Sequence, residues 1–166
     1  TGTIVDDFEA ELYGQQSNVL SDYYEGDLSV FSIQSSNVIS GASTLEATGV
    51  EADRTIKSTS GLHYPEAGDV IQCEARFSDV SSGEASVLFG IDDTADLNGY
   101  GVQLTPFADE FEIIKFSADG GTVIDNSIVS FTYQSSTVYT VTINWGAGGN
   151  IQAEITDDTS SATTNA

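Results

Sequence analysis

Residues 138–156 read VYTVTINW, then GAGGN, then IQAEIT, and this stretch decides the fold class. Side chains alternate across an extended chain with period two, so Tyr139, Val141, Ile143 and Trp145 share one face. The run Gly146-Ala147-Gly148-Gly149-Asn150 supplies a turn, and Ile151, Ala153 and Ile155 return along an apolar face. The stretch is therefore an antiparallel hairpin with one buried side.

Working outward, the same alternation recurs along the chain, and no segment keeps the i, i+3, i+4, i+7 spacing of an amphipathic helix. The predicted strands are Thr3 to Phe8, Val30 to Gln34, Ser43 to Thr48, Asp53 to Ser58, Asp69 to Phe77, Ala85 to Ile91, Tyr100 to Thr105, Phe111 to Ser117 and Thr122 to Asn126, besides the two of the hairpin. A second hairpin, Glu112 to Ile124, is expected to turn at Asp119-Gly120-Gly121, where glycine permits positive φ. Many short strands divided by Gly, Asn, Asp and Ser turns predict an all-β protein, an antiparallel two-sheet β-sandwich. Residues 1–158 are expected to form the sandwich domain, and 159–166, rich in Ser and Thr without apolar periodicity, a tail or linker.

The chain has 166 residues, enough for one core without disulfide or metal staples. Its 4 basic and 26 acidic residues give a net charge of −22, a self-repelling surface that salt should stabilise. A hydrophobic content of 39% with 10% aromatics is enough for a folded core despite that charge. Nucleic acid is excluded as a partner, because Arg54, Lys57, Arg76 and Lys115 are few and scattered. Membrane insertion is not expected, since no apolar stretch approaches the ~20 residues a span needs. With no Met and Thr1 first, the chain reads as a processed product or an excised piece. The single cysteine, Cys73, falls on the apolar face of a strand and reads as a buried, inert thiol.

Several stretches, in order, resemble the concanavalin A-like lectin/glucanase superfamily in its laminin-G-like form from haloarchaea and their viruses. They are Ile4 to Glu9, Phe31 to Gln34 with Ser43 to Ala47, Gly68 to Val70, Leu88 to Ile91, Asn98 to Val102 and Tyr139 to Gly146. The resemblance implies a concanavalin A-like jelly roll. Members of that superfamily close with a last strand beside the first, whereas this chain stops soon after the Trp145 hairpin. Either the tail hides that strand or another chain supplies it.

Catalytic members carry three carboxylates as E-x-D-x-x-E, because glycoside hydrolysis needs an acid and a nucleophile a few ångströms apart. The nearest match, Glu110 to Lys115, places Lys115 at the third acidic position, so Glu110 and Glu112 read as a solvated face and no catalytic residue is assigned. The one histidine, His63, has no Gly-x-Ser-x-Gly elbow to serve. Oxygen-bearing side chains at 92, 94, 96 and 98 suit a hard cation, with Asp92, Asp96 and Asn98 as ligands, although Gly99 sits at the wrong offset for an EF-hand. The acidic start, Asp6, Asp7 and Glu9, resembles the place where jelly-roll binding modules hold a structural Ca2+.

Sugar binding requires aromatic faces flanked by amide or acid groups, and Tyr23, Tyr24, His63, Tyr64 and Tyr100 lie in or beside predicted loops where they could form such a platform. The expected function is thus a non-catalytic surface module for glycans or another cell-surface ligand, located outside the cell or on the cell or virion surface of a halophile. The alternative is a structural subunit of a virion or cell-surface appendage, assembling through an open sheet edge. A glycoside hydrolase is disfavoured by Lys115.

Overall fold

A computed structural model describes residues 24–26, 28–35, 39, 44–47, 56–58, 65–91, 98–117, 120–124 and 127–166. The chain divides into two compact units, 1–64 and 65–166. In the first, β1 (Tyr24–Gly26) pairs antiparallel with β4 (Ile56–Ser58), and β2 (Phe31–Gln34) with β3 (Thr44–Ala47). The predicted strand Thr3 to Phe8 lies outside the described residues.

The second unit holds β5 (Val70–Arg76), β6 (Ala85–Phe89), β7 (Gly99–Thr105), β8 (Glu110–Ser117), β9 (Gly120–Val123), β10 (Val129–Ser130), β11 (Val138–Trp145), β12 (Ile151–Thr156) and β13 (Ser161–Asn165). One sheet runs β6, β7, β8, with β9 and β10 both along the far edge of β8. The other runs β5, β11, β12, β13, and every pairing is antiparallel. The chain therefore leaves the four-stranded sheet after β5, builds the five-stranded one, and returns at β11.

Alternation turns one face of each sheet inward. Phe89, Val102, Leu104, Phe111 and Ile113 from the first sheet meet Tyr139, Val141, Ile143, Ile151, Ala153 and Ile155 from the second in one buried cluster. Each valine, leucine, isoleucine or phenylalanine among them contributes about 1.5–3 kcal/mol through burial. Two antiparallel sheets over one core make the unit sandwich-like, with the 138–156 hairpin at its centre. Gly149, at φ 88°, closes that hairpin's turn, donating its N–H to Gly146 O at 2.9 Å.

Two side chains tie the sheets' margins. Tyr139 is the second residue of β11, and its hydroxyl accepts from Gln134 N at 2.5 Å and donates to Gln134 O at 3.1 Å. That arrangement, like a tyrosine corner, fixes the chain's entry into the strand. Ser127 fills the gap between β9 and β10: its hydroxyl accepts from Ile113 N at 3.2 Å and donates to Ile113 O at 2.9 Å, standing in for a strand partner. The Thr164 hydroxyl of β13 in turn donates to Ser127 O, joining the edge of one sheet to the edge of the other.

Two expectations are corrected. Residues 159–166 are not a tail: β13 occupies Ser161–Asn165 and pairs with β12 from Gln152↔Asn165 to Thr156↔Ser161. Its inward positions are the half-buried Ala162 and the buried Thr164, so hydrogen bonding rather than an apolar stripe seats it. In the second hairpin, Gly120 and Gly121 are not turn residues but belong to β9, opposite Ser117 and Phe116.

Candidate functional site

The outer face of the five-stranded sheet is set by the same register that builds the core. Directly opposed residues share a face, so Leu88, Gly101, Ile114 and Val123 form one outward row across β6, β7, β8 and β9. The next row is Ser86, Gln103 and Glu112, and the one beyond it Thr105, Glu110 and Ser130. An apolar strip thus lies beside a polar, acidic one.

The apolar strip is built around glycine. A Cβ on Gly101 would stand 3.0 Å from both Leu88 Cδ2 and Phe116 Cε2 and 3.2 Å from Ile114 Cγ1. On Gly121 it would stand 3.3 Å from the opposite ring edge of Phe116, at Cε1. The Phe116 ring therefore lies over two side-chain-free positions, the arrangement in which an aromatic covers glycine in a sheet.

In the acidic rows, the Gln103 side-chain amide donates to Glu84 Oε2 at 2.9 Å and to Thr105 Oγ1 at 3.3 Å. Glu112 is only 5% exposed. No hydrogen bond to its carboxylate occurs among the described residues. Burial first, then the Glu110 and Glu84 carboxylates, pushes its carboxyl group above the ordinary range. Glu112 is consequently not part of a solvated face, as its acidic neighbourhood in the sequence suggested. A strand parity that also buries Ile114 places it there. The register of β8 runs unbroken from Glu110 to Phe116, which puts Lys115 on the opposite face from Glu110 and Glu112.

The residues expected at a site fare differently. Tyr100 sits within β7 on the inward face, its ring stacked on Phe89 at 6.1 Å and 26° and packed against the core, so it is no loop-rim platform. Tyr24 starts β1, with its side chain outside the described set, and Tyr23, His63 and Tyr64 lie outside it altogether. Asp6, Asp7, Glu9, Asp92 and Asp96 also fall outside. Asn98 is half-buried immediately before β7 and has an interaction of its own. Among the described residues, no three His, Cys, Asp or Glu side chains are placed to share a metal ion, so Glu84, Glu110 and Glu112 are not a metal centre.

The outer face of the four-stranded sheet is a polar ladder, with Gln72 donating to Thr142 at 3.2 Å and Gln152 to Asn165 at 3.1 Å. At its end is an open cavity of about 590 Å³, floored by Thr140 and Thr156 and flanked by Glu74, Ser136 to Val138, Asp157 and Asp158. The Asp157 carboxylate is occupied locally, accepting from the Thr159 and Ser160 amides at 2.7 Å. Comparisons of the chain with family models, curated proteins and solved structures find no match.

Proposed function

We propose that the chain is a non-catalytic β-sandwich module of concanavalin A-like type that binds glycans or another cell-surface ligand, through the outer face of the five-stranded sheet. The observation that carries this reading is the pairing of Phe116, laid over Gly101 and Gly121, with the buried Glu112 carboxylate, which lacks a donor among the described residues. A sugar has an apolar C–H face to stack on a ring and hydroxyls to donate to carboxylates. Glu110 and Glu112 alone, without a third acid on their face, do not support hydrolysis. The net charge of −22 favours a halophilic, surface-exposed setting.

The test is binding of the purified chain to a glycan array in molar salt, where charge repulsion is screened. Binding that is lost in Phe116→Ala, with the melting temperature still cooperative, is the expected result. Absence of binding to any glycan refutes the glycan reading, and binding that Phe116→Ala leaves intact refutes the face assigned to it. The second reading is a virion or appendage subunit joined through an open sheet edge, and β13 and β5 are the strands that end the four-stranded sheet.

A further inference from the structure

We infer that β13 pairs edge to edge with the β13 of a second copy of this chain, antiparallel about a two-fold axis at Thr163, so that two four-stranded sheets join into one. Ile151 and Ala166 exchange both backbone hydrogen bonds, at 2.7 and 2.8 Å. In an antiparallel ladder such pairs alternate with unbonded ones, so Ala153 with Thr164 and Ile155 with Ala162 are the other bonded pairs of this register. The N–H and C=O groups of Ser161, Thr163 and Asn165 therefore point away from β12, and among the described residues no strand receives them. The side chains of all three are exposed. An edge row of this kind is a template for another strand.

Charge and register together name that strand. In a chain of net charge −22, most surfaces of two copies repel each other. Strand β13 reads SATTN and carries no charge, whereas β5, which ends the same sheet on the other side, carries Glu74 and Arg76. Asp157 and Asp158 lie in the connection before β13, and Glu154 stands one strand in, opposite Thr163. An antiparallel match centred on Thr163 sets Thr163 against its own copy and Ser161 against Asn165. Each of these positions turns its free N–H and C=O toward the other strand, so each pair exchanges two hydrogen bonds. On the outer face, Thr then stands beside Thr and Ser beside Asn, side chains that hydrogen-bond across strands. The inward Thr164 hydroxyl, engaged with Ser127 O, is not called on. A surface that is its own complement is what a two-fold dimer requires. An edge of five residues buries less than the ~1,000 Å² of a durable interface, so the dimer is weak and depends on concentration.

Sedimentation equilibrium of the full chain in molar KCl, without any ligand, reads this pairing apart from what the other sheet binds. A monomer–dimer equilibrium is expected between about 10 μM and 1 mM, weakening as salt falls and the repulsion between copies is less screened. Thr163→Pro removes only an edge-facing N–H, which an edge strand tolerates, and should give a monomer that still melts cooperatively. If Thr163→Pro does not fold, Asn165→Pro, which removes the edge-facing N–H nearer the end of the strand, gives the same comparison. Facing residues lie about 5.5 Å apart, within disulfide reach, so Thr163→Cys should crosslink two copies on mild oxidation at least about tenfold faster than Ser161→Cys, whose position faces Asn165 and not itself. Both cysteine variants keep Cys73, so the difference between them reports the register. A monomer at every concentration, a dimer that the proline variants leave intact, or equal crosslinking of the two cysteine variants overturns the pairing.

Discussion

Replacing Ser127 by alanine removes one hydroxyl and strands a backbone group in the core. Ser127 is fully buried, and its hydroxyl is the acceptor for Ile113 N and a donor to Ile113 O. Ile113 O keeps a second partner, the Ile124 N–H at 3.0 Å, so its loss is one ordinary hydrogen bond, about 0.5–1.5 kcal/mol. The Ile113 N–H keeps none, and an unsatisfied buried donor costs about 1–3 kcal/mol. Together they give about 3 kcal/mol, a large share of the roughly 5–15 kcal/mol that holds a domain folded. At about 3 °C per kcal/mol for a chain of this size, the melting temperature falls by about 9 °C. Urea unfolding with an unchanged m-value, and amide exchange at Ile113, are the assays. Thr164→Val, which keeps the shape but removes the hydroxyl donating to Ser127 O, should be sub-additive with Ser127→Ala, because both loosen the same segment. A loss below about 0.5 kcal/mol, with Ile113 exchange as slow as before, refutes the idea that this hydroxyl completes the β8 ladder.

Gly90→Ala should destabilise the unit and shift tryptophan fluorescence, because Gly90 holds φ 60° and a Cβ there would stand 2.8 Å from Trp145 Cη2; unchanged emission and melting would refute it. Burial, then the neighbouring Glu74, pushes the Cys73 thiol up to about 11, so maleimide labelling should be slow in the native protein and fast in urea; equal rates would show that the thiol is open. The Glu112 carboxyl is raised in the fold, so its unfavourable contribution is full above its folded pKa and disappears as pH falls to the unfolded value of about 4.3. Glu112→Gln should therefore raise the melting temperature at neutral pH and have no such effect at about pH 4; a gain that is the same at both pH values speaks against a buried ionised carboxylate. With a net charge of −22, melting should rise steeply between low salt and molar KCl, and a flat profile would remove the ground for a halophilic setting.

The elements legible in the sequence are those where local pattern and burial agree. Strands β11 and β12 have their predicted bounds, because every second residue is apolar and a glycine-rich turn separates them. Strand β13 was hidden because Ser161 to Asn165 carries one small apolar residue, and Thr164 is seated by a bond to a carbonyl 37 positions away. Strand β10 has two residues, too few for any period to register. The site was less legible than the fold. Glu112 reads as surface in any local window, and no local pattern shows that it is buried. One signal was available: Gly101 in a strand interior, with Gly120-Gly121 nearby, marks a surface where a side chain from a neighbouring strand lies flat.

The two outer faces of the sandwich-like unit differ in what they leave unmet, and this difference locates the proposed site. Thr140, Thr142, Gln72, Gln152 and Asn165 on the four-stranded sheet are half-buried or exposed, and two of the long amides bond to a cross-strand neighbour. Such a face is complete in water, since every group can bond to solvent or to the next strand. The five-stranded sheet turns outward a glycine floor, an aromatic ring over it, a buried isoleucine and a buried carboxylate whose adjacent amide is already engaged. Folding alone gains nothing from placing an acceptor-only group there, because a leucine at 112 would remove the cost and a glutamine would lower it. On the proposed reading, that cost is offset when a ligand supplies the donor.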